Sequence, residues 1–433
     1  IRKPSFRGRL GAAVTALALG SAVPAIAGID PAGLAKVDAD LPFVSSNIDV
    51  LGTIPMPGAI GVTFRDNVMY ATGQEGVQTF DVSNPALPVP MGKLPLPHFE
   101  NEDVTIGGNT LLVAADQAIG FINTIYVIDI SNPRVLTLRA RATVPYKAHT
   151  VTCIADCRYA YIAGSSGLAL FDTQQGRMLG TVAPHASGSH DVWVDDAGIA
   201  WVSAGNGTFG YDITDIFNPK LVAKTDPRGN QSPYNDFIQH NAWRPNLPNT
   251  TTPGDVLLIT EEDYARIQCR NAGSFQAWKI NGPLDPNNPA IMTPLDTWTT
   301  DEGYLPPNED RTNQNVECSA HWFEERNGFV GIGWYNNGTR FLDVRDPSNI
   351  RQVGYFVPTT TSVWGGAVYW ARNATDIAYS VDASRGIDVL RIDVTKPDTT
   401  LLPRTAQATP VGGVAEPHPE FGWSCRVPAG TLG

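Results

Sequence analysis

Short apolar runs alternate with polar, glycine-bearing turns along most of the chain, the pattern of β-strands joined by tight reversals. No heptad or long helical period interrupts it. One phrase recurs at the end of these runs: FDVSNP at 80–85, IDISNP at 128–133, FD at 171–172, YDITDIFNP at 211–219, LDVRDP at 342–347 and IDV at 392–394. Apolar residues end a strand, the Asp accepts hydrogen bonds from the turn, and Asn-Pro or Asp-Pro stops the strand. A repeat of roughly 40–50 residues built from short strands predicts a propeller or solenoid.

Aligned on the turn after the first strand, the chain divides into seven units. They hold 61–82, 102–130, 149–172, 190–213, a fifth from 240 with a Pro/Asn-rich insertion, 321–344 and 366–394. Each predicts three strands, and a fourth follows the Asp phrase, as in PVPMGKLPLP, RVLTLRARATVP, KLVAKTDP and IRQVGYFVP. The expected fold is all-β: a seven-bladed β-propeller of four-stranded blades. The last unit lacks a good fourth strand, and NIDVLGTIPMP at 47–57 has the form of one. It is expected to close the ring and cover a sheet edge.

Composition narrows the partners. A net charge of -12 and a pI near 5.0 leave no basic footprint for nucleic acid. Residues 1–27 read as an export signal: Arg2, Lys3, Arg7 and Arg9, an apolar core over 10–23, and Ala25-Ile26-Ala27 at the cleavage position. That core is too short for a membrane span and no second apolar run follows, although an N-terminal anchor is the competing reading. The expected division is a signal at 1–27, a linker at 28–46, the propeller at 47–394 and a Pro-rich tail at 395–433. The product would be secreted or periplasmic, and monomeric. Five cysteines suit such a compartment. Cys153 and Cys157 should face each other across a hairpin turn, and Cys269 with Cys318 is the preferred second pair, leaving Cys425 over.

The DVSNP, DISNP and DVRDP phrases, with GWYNNGTRFLDVRDP at 333–347, resemble the LVIVD-repeat family of propellers over all but the signal and the last forty or so residues. The resemblance implies a fold and little about function.

Four of the seven histidines open a unit: His149, His190, His240 and His321. His190 lies eleven residues before Trp201, His149 twelve before Tyr161, and Glu102 eleven before Val113. Five successive units thus offer Glu, His, His, His, His at one place, the start of the innermost strand, with Ile60 and Gly366 at that place in the other two. In a propeller those starts crowd one mouth of the channel. Imidazoles and a carboxylate in one ring suit Zn, Cu, Fe, Mn or Ni, and an open position would make the metal catalytic. Other seven-bladed propellers, such as the carotenoid oxygenases and the selenium-binding/methanethiol oxidase group, hold a channel metal on several histidines; no motif is shared. The same register also fits a structural ring of hydrogen-bonding caps, or acid/base chemistry without metal.

Weaker candidates surround this set. Glu261 and Glu262, with Asp263, follow an apolar run and are expected to begin a loop, either solvated or supplying a base beside the mouth. Glu102 carries the same catalytic expectation. His98 and His185 sit just upstream of their units, Asp103 and Asp191 should point away by strand alternation, and His418 lies in the tail. Trp193, Trp243, Trp322, Trp364 and Tyr369 should mostly pack between blades, with Trp243 and Trp322 placed to wall a pocket. No nucleophile elbow, phosphate loop, dinucleotide fingerprint or CxxC pair is present. The resulting expectation is an exported metal-dependent enzyme, oxidase- or oxygenase-like, on a small substrate. The alternative is a metal-free scaffold binding a protein or wall polymer through its loops.

Overall fold

The computed structural model describes residues 43–402 apart from 57, 97–103, 116–122, 145–147, 165–166, 187, 246–253, 264–272, 304–317, 359 and 362–365, together with the short strands at 409–410, 413–414 and 427–428. The expected signal and most of the linker and tail lie outside these residues, as do Glu102, Asp103, His98, His418, Trp364, Cys269 and Cys425.

The described residues form β-strands and two short 3-10 turns, with no α-helix among them. The strands make antiparallel four-stranded sheets in chain order, a propeller-like arrangement. The first runs through Ala59–Arg65, Val68–Gly73, Gly76–Asp81 and Val89–Pro95. Sheets of the same up-and-down form cover 105–143 and 151–183. In 323–357 a short strand, Phe43–Val44, adds to the outer edge of Arg351–Val357. The strand Ile48–Pro55 pairs antiparallel with Gly386–Ile392, so four strands cover that unit as well.

The Asp phrase behaves as its chemistry dictates. Asp81 Oδ1 accepts the Ser83 N–H at 2.9 Å, and Asp129, Asp212 and Asp343 do the same with Ser131, Thr214 and Arg345. A short acceptor two residues upstream of the amide it caps makes a self-contained turn.

The apolar core lies between sheets. Tyr70 and Val77 pack with Leu111, Val113, Tyr126 and Ile128 of the next sheet, and Tyr161 and Leu170 with Val192, Val202 and Tyr211. Met69 and Phe80 of the first sheet pack with Tyr369, Tyr379 and Val389 of the last. Each sheet therefore presents apolar side chains on both faces and polar groups at its outer turns.

Two sheets are joined. Thr225 of Lys220–Thr225 lies parallel to Met292 of Ala290–Trp298, with Ala223 beside Ala290, which fuses 189–225 and 238–298 into one eight-stranded sheet. Cys153 and Cys157 form the expected disulfide. Ala155 and Asp156 between its ends, and Cys157 itself, have left-handed backbones. Cys318 is also disulfide-bonded.

Candidate metal centre

The first strand of one unit is tied to the first strand of the next by side chains. Thr150 Oγ1 donates to the His190 carbonyl at 2.8 Å and Thr152 Oγ1 to that of Val192 at 2.5 Å. Asn241 Nδ2 donates to the Phe323 carbonyl at 3.4 Å. These cross-unit bonds hold the histidine-bearing backbones side by side.

Local backbone irregularity then aims the rings. The pairing of Ser189–Val194 with its neighbour slips between Ser189 and Asp191, and that of Ile238–Trp243 slips between Gln239 and Ala242. His190 lies inside the first slip, and His240 with Asn241 inside the second. A β-bulge re-aims a side chain that regular pairing would hold on the sheet face. The first unit has a slip of the same kind, between Ala59 and Val62, and carries Ile60 and Gly61 there.

The four imidazoles form a row. Ring centroids are 4.1 Å apart for His149 and His190, 4.3 Å for His190 and His240, and 4.2 Å for His240 and His321. All four residues are buried, His240 completely.

The carboxylate facing this row is Glu262. It ends a strand, Val256–Glu262, and is buried with Glu261 and Asp263. This corrects the expectation of a loop: pairing with Ile238–Trp243 carries the strand through both glutamates, and Ser274–Asn281 pairs as far as Glu261. Glu262 Oε2 stands 3.6 Å from His190 Nε2 and 3.9 Å from His240 Nε2, and Oε1 stands 3.7 Å from His321 Nε2. The Tyr335 hydroxyl donates to Oε1, and the Tyr335 ring lies 5.2 Å from that of His321.

These distances are informative. An N–H···O bond spans about 2.7–3.2 Å, and all three separations are longer. Two donors each about 2.0–2.2 Å from one ion stand roughly 3.4–4 Å apart for bond angles near or somewhat above tetrahedral. Donor atoms of His190, His240 and Glu262 all lie within 4.8 Å of one another. His321 Nδ1 is 3.3 Å from the Gly366 carbonyl. A carbonyl only accepts, so Nδ1 carries the hydrogen in this contact, and Nε2 is the ring nitrogen on the Glu262 side, where the neutral ring would offer a lone pair to an ion.

Glu261 does different work. Its carboxylate accepts the Asp236 N–H at 2.9 Å and the Ser274 hydroxyl at 3.2 Å. Burial pushes its carboxyl well above the ordinary carboxylate range. It pins the approach to Ile238–Trp243, and alternation along the strand turns it from the histidine row. The Asp263 N–H donates to Ser319 Oγ at 2.8 Å.

The other expected members are spread out. His185 is exposed and stacks on Tyr211 at 6.4 Å. Asp191 is buried. Trp243 stacks on Trp193 at 4.4 Å and Trp322 on Tyr369 at 6.1 Å, each pair bridging two units, so these rings pack rather than wall a pocket. A Cβ on Gly333 would stand 1.8 Å from the carbonyl carbon and oxygen of Gly366, so the two backbones touch.

Tyr335 escaped the sequence reading, since no other unit carries it. Its only signal was a polar, aromatic run, GWYNNG, where a plain turn would suffice.

Structural comparison places the fold among propellers. The chain is similar to hydrazine synthase of Kuenenia stuttgartiensis, with a TM-score of 0.52, 12% identity, and cover of 78% of this chain and 97% of the other. It is also similar to the Cps50 (Swd1) beta-propeller domain of Myceliophteria thermophila, with a TM-score of 0.54, 11% identity, and cover of 80% and 100%. At such identities the likeness extends to the fold alone. No family model and no curated protein matches the chain. The molecule is thus a propeller-like all-β protein with a buried His190–His240–Glu262 group able to hold a metal ion.

Proposed function

We propose that the chain is an exported, metal-dependent enzyme of oxidase or oxygenase type, acting on a small substrate at one mouth of a seven-bladed propeller. The observation that carries this reading is the buried Glu262 carboxylate facing Nε2 atoms of three histidines at 3.6–3.9 Å. Two imidazoles and one carboxylate with room for further ligands is a donor set suited to ferrous iron in oxygen chemistry, and the same set serves zinc in hydrolysis. The two further imidazoles, His149 and His321, tip the choice toward a redox ion, because hydrolytic sites usually bring more carboxylates. When bound, the ion would supply Lewis acidity or electron transfer. The chain's own groups hold it, exclude water and fix the tautomer of His321.

The seven-bladed reading is supported by contacts between first and last sheets and by the pairing of Ile48–Pro55 with Gly386–Ile392. Membership of the LVIVD-repeat family is part of the same proposal. Export is supported by the Cys153–Cys157 disulfide and the bonded Cys318. No helix among the described residues is long and apolar enough to cross a membrane.

Elemental analysis of protein from its own host, followed by titration of stripped protein with Fe(II), Co(II) and Zn(II), tests the reading. One equivalent of bound metal, lost in His190→Ala, His240→Ala and Glu262→Gln, is expected. Metal-free protein that takes up none of the three ions refutes it and leaves the scaffold reading in its place.

A further inference from the structure

We infer that Tyr335 is a positioning residue of the metal site, orienting Glu262 so that it ligates through one oxygen. The inference rests on the metal reading above and concerns a residue outside the ligand set. Three observations carry it.

The Tyr335 hydroxyl donates to Oε1 of Glu262. The oxygen facing both His190 and His240 is the other one, Oε2. A hydrogen bond accepted by Oε1 occupies one of its lone pairs and fixes the carboxylate plane, which favours ligation through Oε2 although Oε1 also lies 3.7 Å from His321 Nε2. Outer groups of this kind orient a ligand and tune its basicity.

The Tyr335 backbone is left-handed, with φ 35°. It opens the 3-10 turn Tyr335–Asn337, closed by the Asn337 N–H on the Trp334 carbonyl at 2.7 Å and the Gly338 N–H on that of Tyr335 at 3.1 Å. Glycine or asparagine adopts that backbone more readily than a bulky residue. A tyrosine there gains nothing from the backbone, so its side chain is the reason for it.

The ring is also tied to the site. It lies buried against His321, whose Nδ1 faces the Gly366 carbonyl. One face of the phenol fixes an imidazole while its hydroxyl fixes the carboxylate.

Tyr335→Phe keeps the ring and removes the hydroxyl. Co(II) added to the metal-stripped full chain gives both an affinity and a visible absorption spectrum. Tyr335→Phe should bind Co(II) roughly 10- to 100-fold more weakly than the parent. Its spectrum should shift as Glu262 turns toward two-oxygen ligation. Parent affinity and an unchanged spectrum would show that the phenol only packs, and would overturn the inference while leaving the metal site standing. A parent chain that binds no Co(II), Fe(II) or Zn(II) would remove the metal reading and this inference with it. If Tyr335→Phe does not fold, Tyr335→Asn decides, since asparagine suits the left-handed backbone and also lacks the hydroxyl; it too should weaken binding.

Discussion

The outer turns and the histidine row occupy two repeated positions of the same units, yet they are built differently. In the turns, Asp81, Asp129, Asp212 and Asp343 each bond an amide two residues on. Every copy is complete by itself and near the surface. In the row, no histidine is complete alone. His190 needs the Thr150 bond from the previous unit, His240 needs a slipped register, and both need Glu262 from a second strand. Repetition supplies a scaffold position, and the site arises where unrepeated residues, Glu262 and Tyr335, meet it. A position can therefore be shared by all units and functional in only a few.

The largest test of that difference is removal of one member of the row. His240→Ala should lower Co(II) or Zn(II) affinity by at least about 100-fold, with a thermal midpoint within a few degrees of the parent. The loss concerns one ligand rather than the packing between sheets. Calorimetric titration measures the first quantity and a melting curve the second; retained affinity would mean that the row is structural.

Next comes the backbone contact behind His321. Gly333→Ala forces a methyl into the Gly366 peptide and should destabilise the fold by about 3 kcal/mol. Denaturant unfolding reads this as a lower midpoint at unchanged slope. The turns should respond far less. Asp81→Ala and Asp212→Ala should each cost about 0.5–1.5 kcal/mol, the worth of one exposed local hydrogen bond, and the two losses should add. A non-additive pair would mean that these turns communicate.

The smallest effect is one of pH. Asp129 and Asp382 sit in similar turns and shift in opposite directions. The Ser131 amide and hydroxyl and Arg139 hold Asp129 down to about 2, so its contribution is present above 3.8 and lost only as pH falls through about 2. Burial, reinforced by Asp388 and only partly offset by bonds from Ser384 and Arg385, raises Asp382 above 3.8. Its contribution is present below 3.8 and is lost as pH rises through the raised value. Asp382→Asn keeps an acceptor for the Ser384 and Arg385 amides and should flatten the fall in stability above pH 3.8. An unchanged profile would show that Asp382 remains charged in the folded chain.

The repeated features were legible because their causes are local. Strand lengths, Asp turns and the Cys153–Cys157 pair each follow from a few adjacent residues. The histidine register was also legible, since identical units place identical positions together. Glu262 was misread because a run of three acids after an apolar stretch looks like a solvated loop. Pairing with Ile238 of the neighbouring strand keeps it in a strand, one residue beyond the end of the ladder with Ser274–Asn281. The slips at Ser189–Asp191 and Gln239–Ala242 carry no residue signature. Tyr335 lies in the same unit as His321 and one unit on from Glu262, at a position no other unit repeats, so periodicity does not encode it.

The fused sheet of 189–225 and 238–298 has a mechanical consequence. In an array coupled only through neighbouring faces, units fray one at a time. A hydrogen-bonded ladder between Ala223–Thr225 and Ala290–Met292 welds two of them into a single girder. His190, His240 and Glu262 all sit on it. The three donors thus belong to one continuous hydrogen-bonded sheet, with His190 and His240 on its two end strands. Hydrogen exchange should find the amides of both halves opening together with one common free energy, and separate opening of 189–225 would show that the weld does not hold.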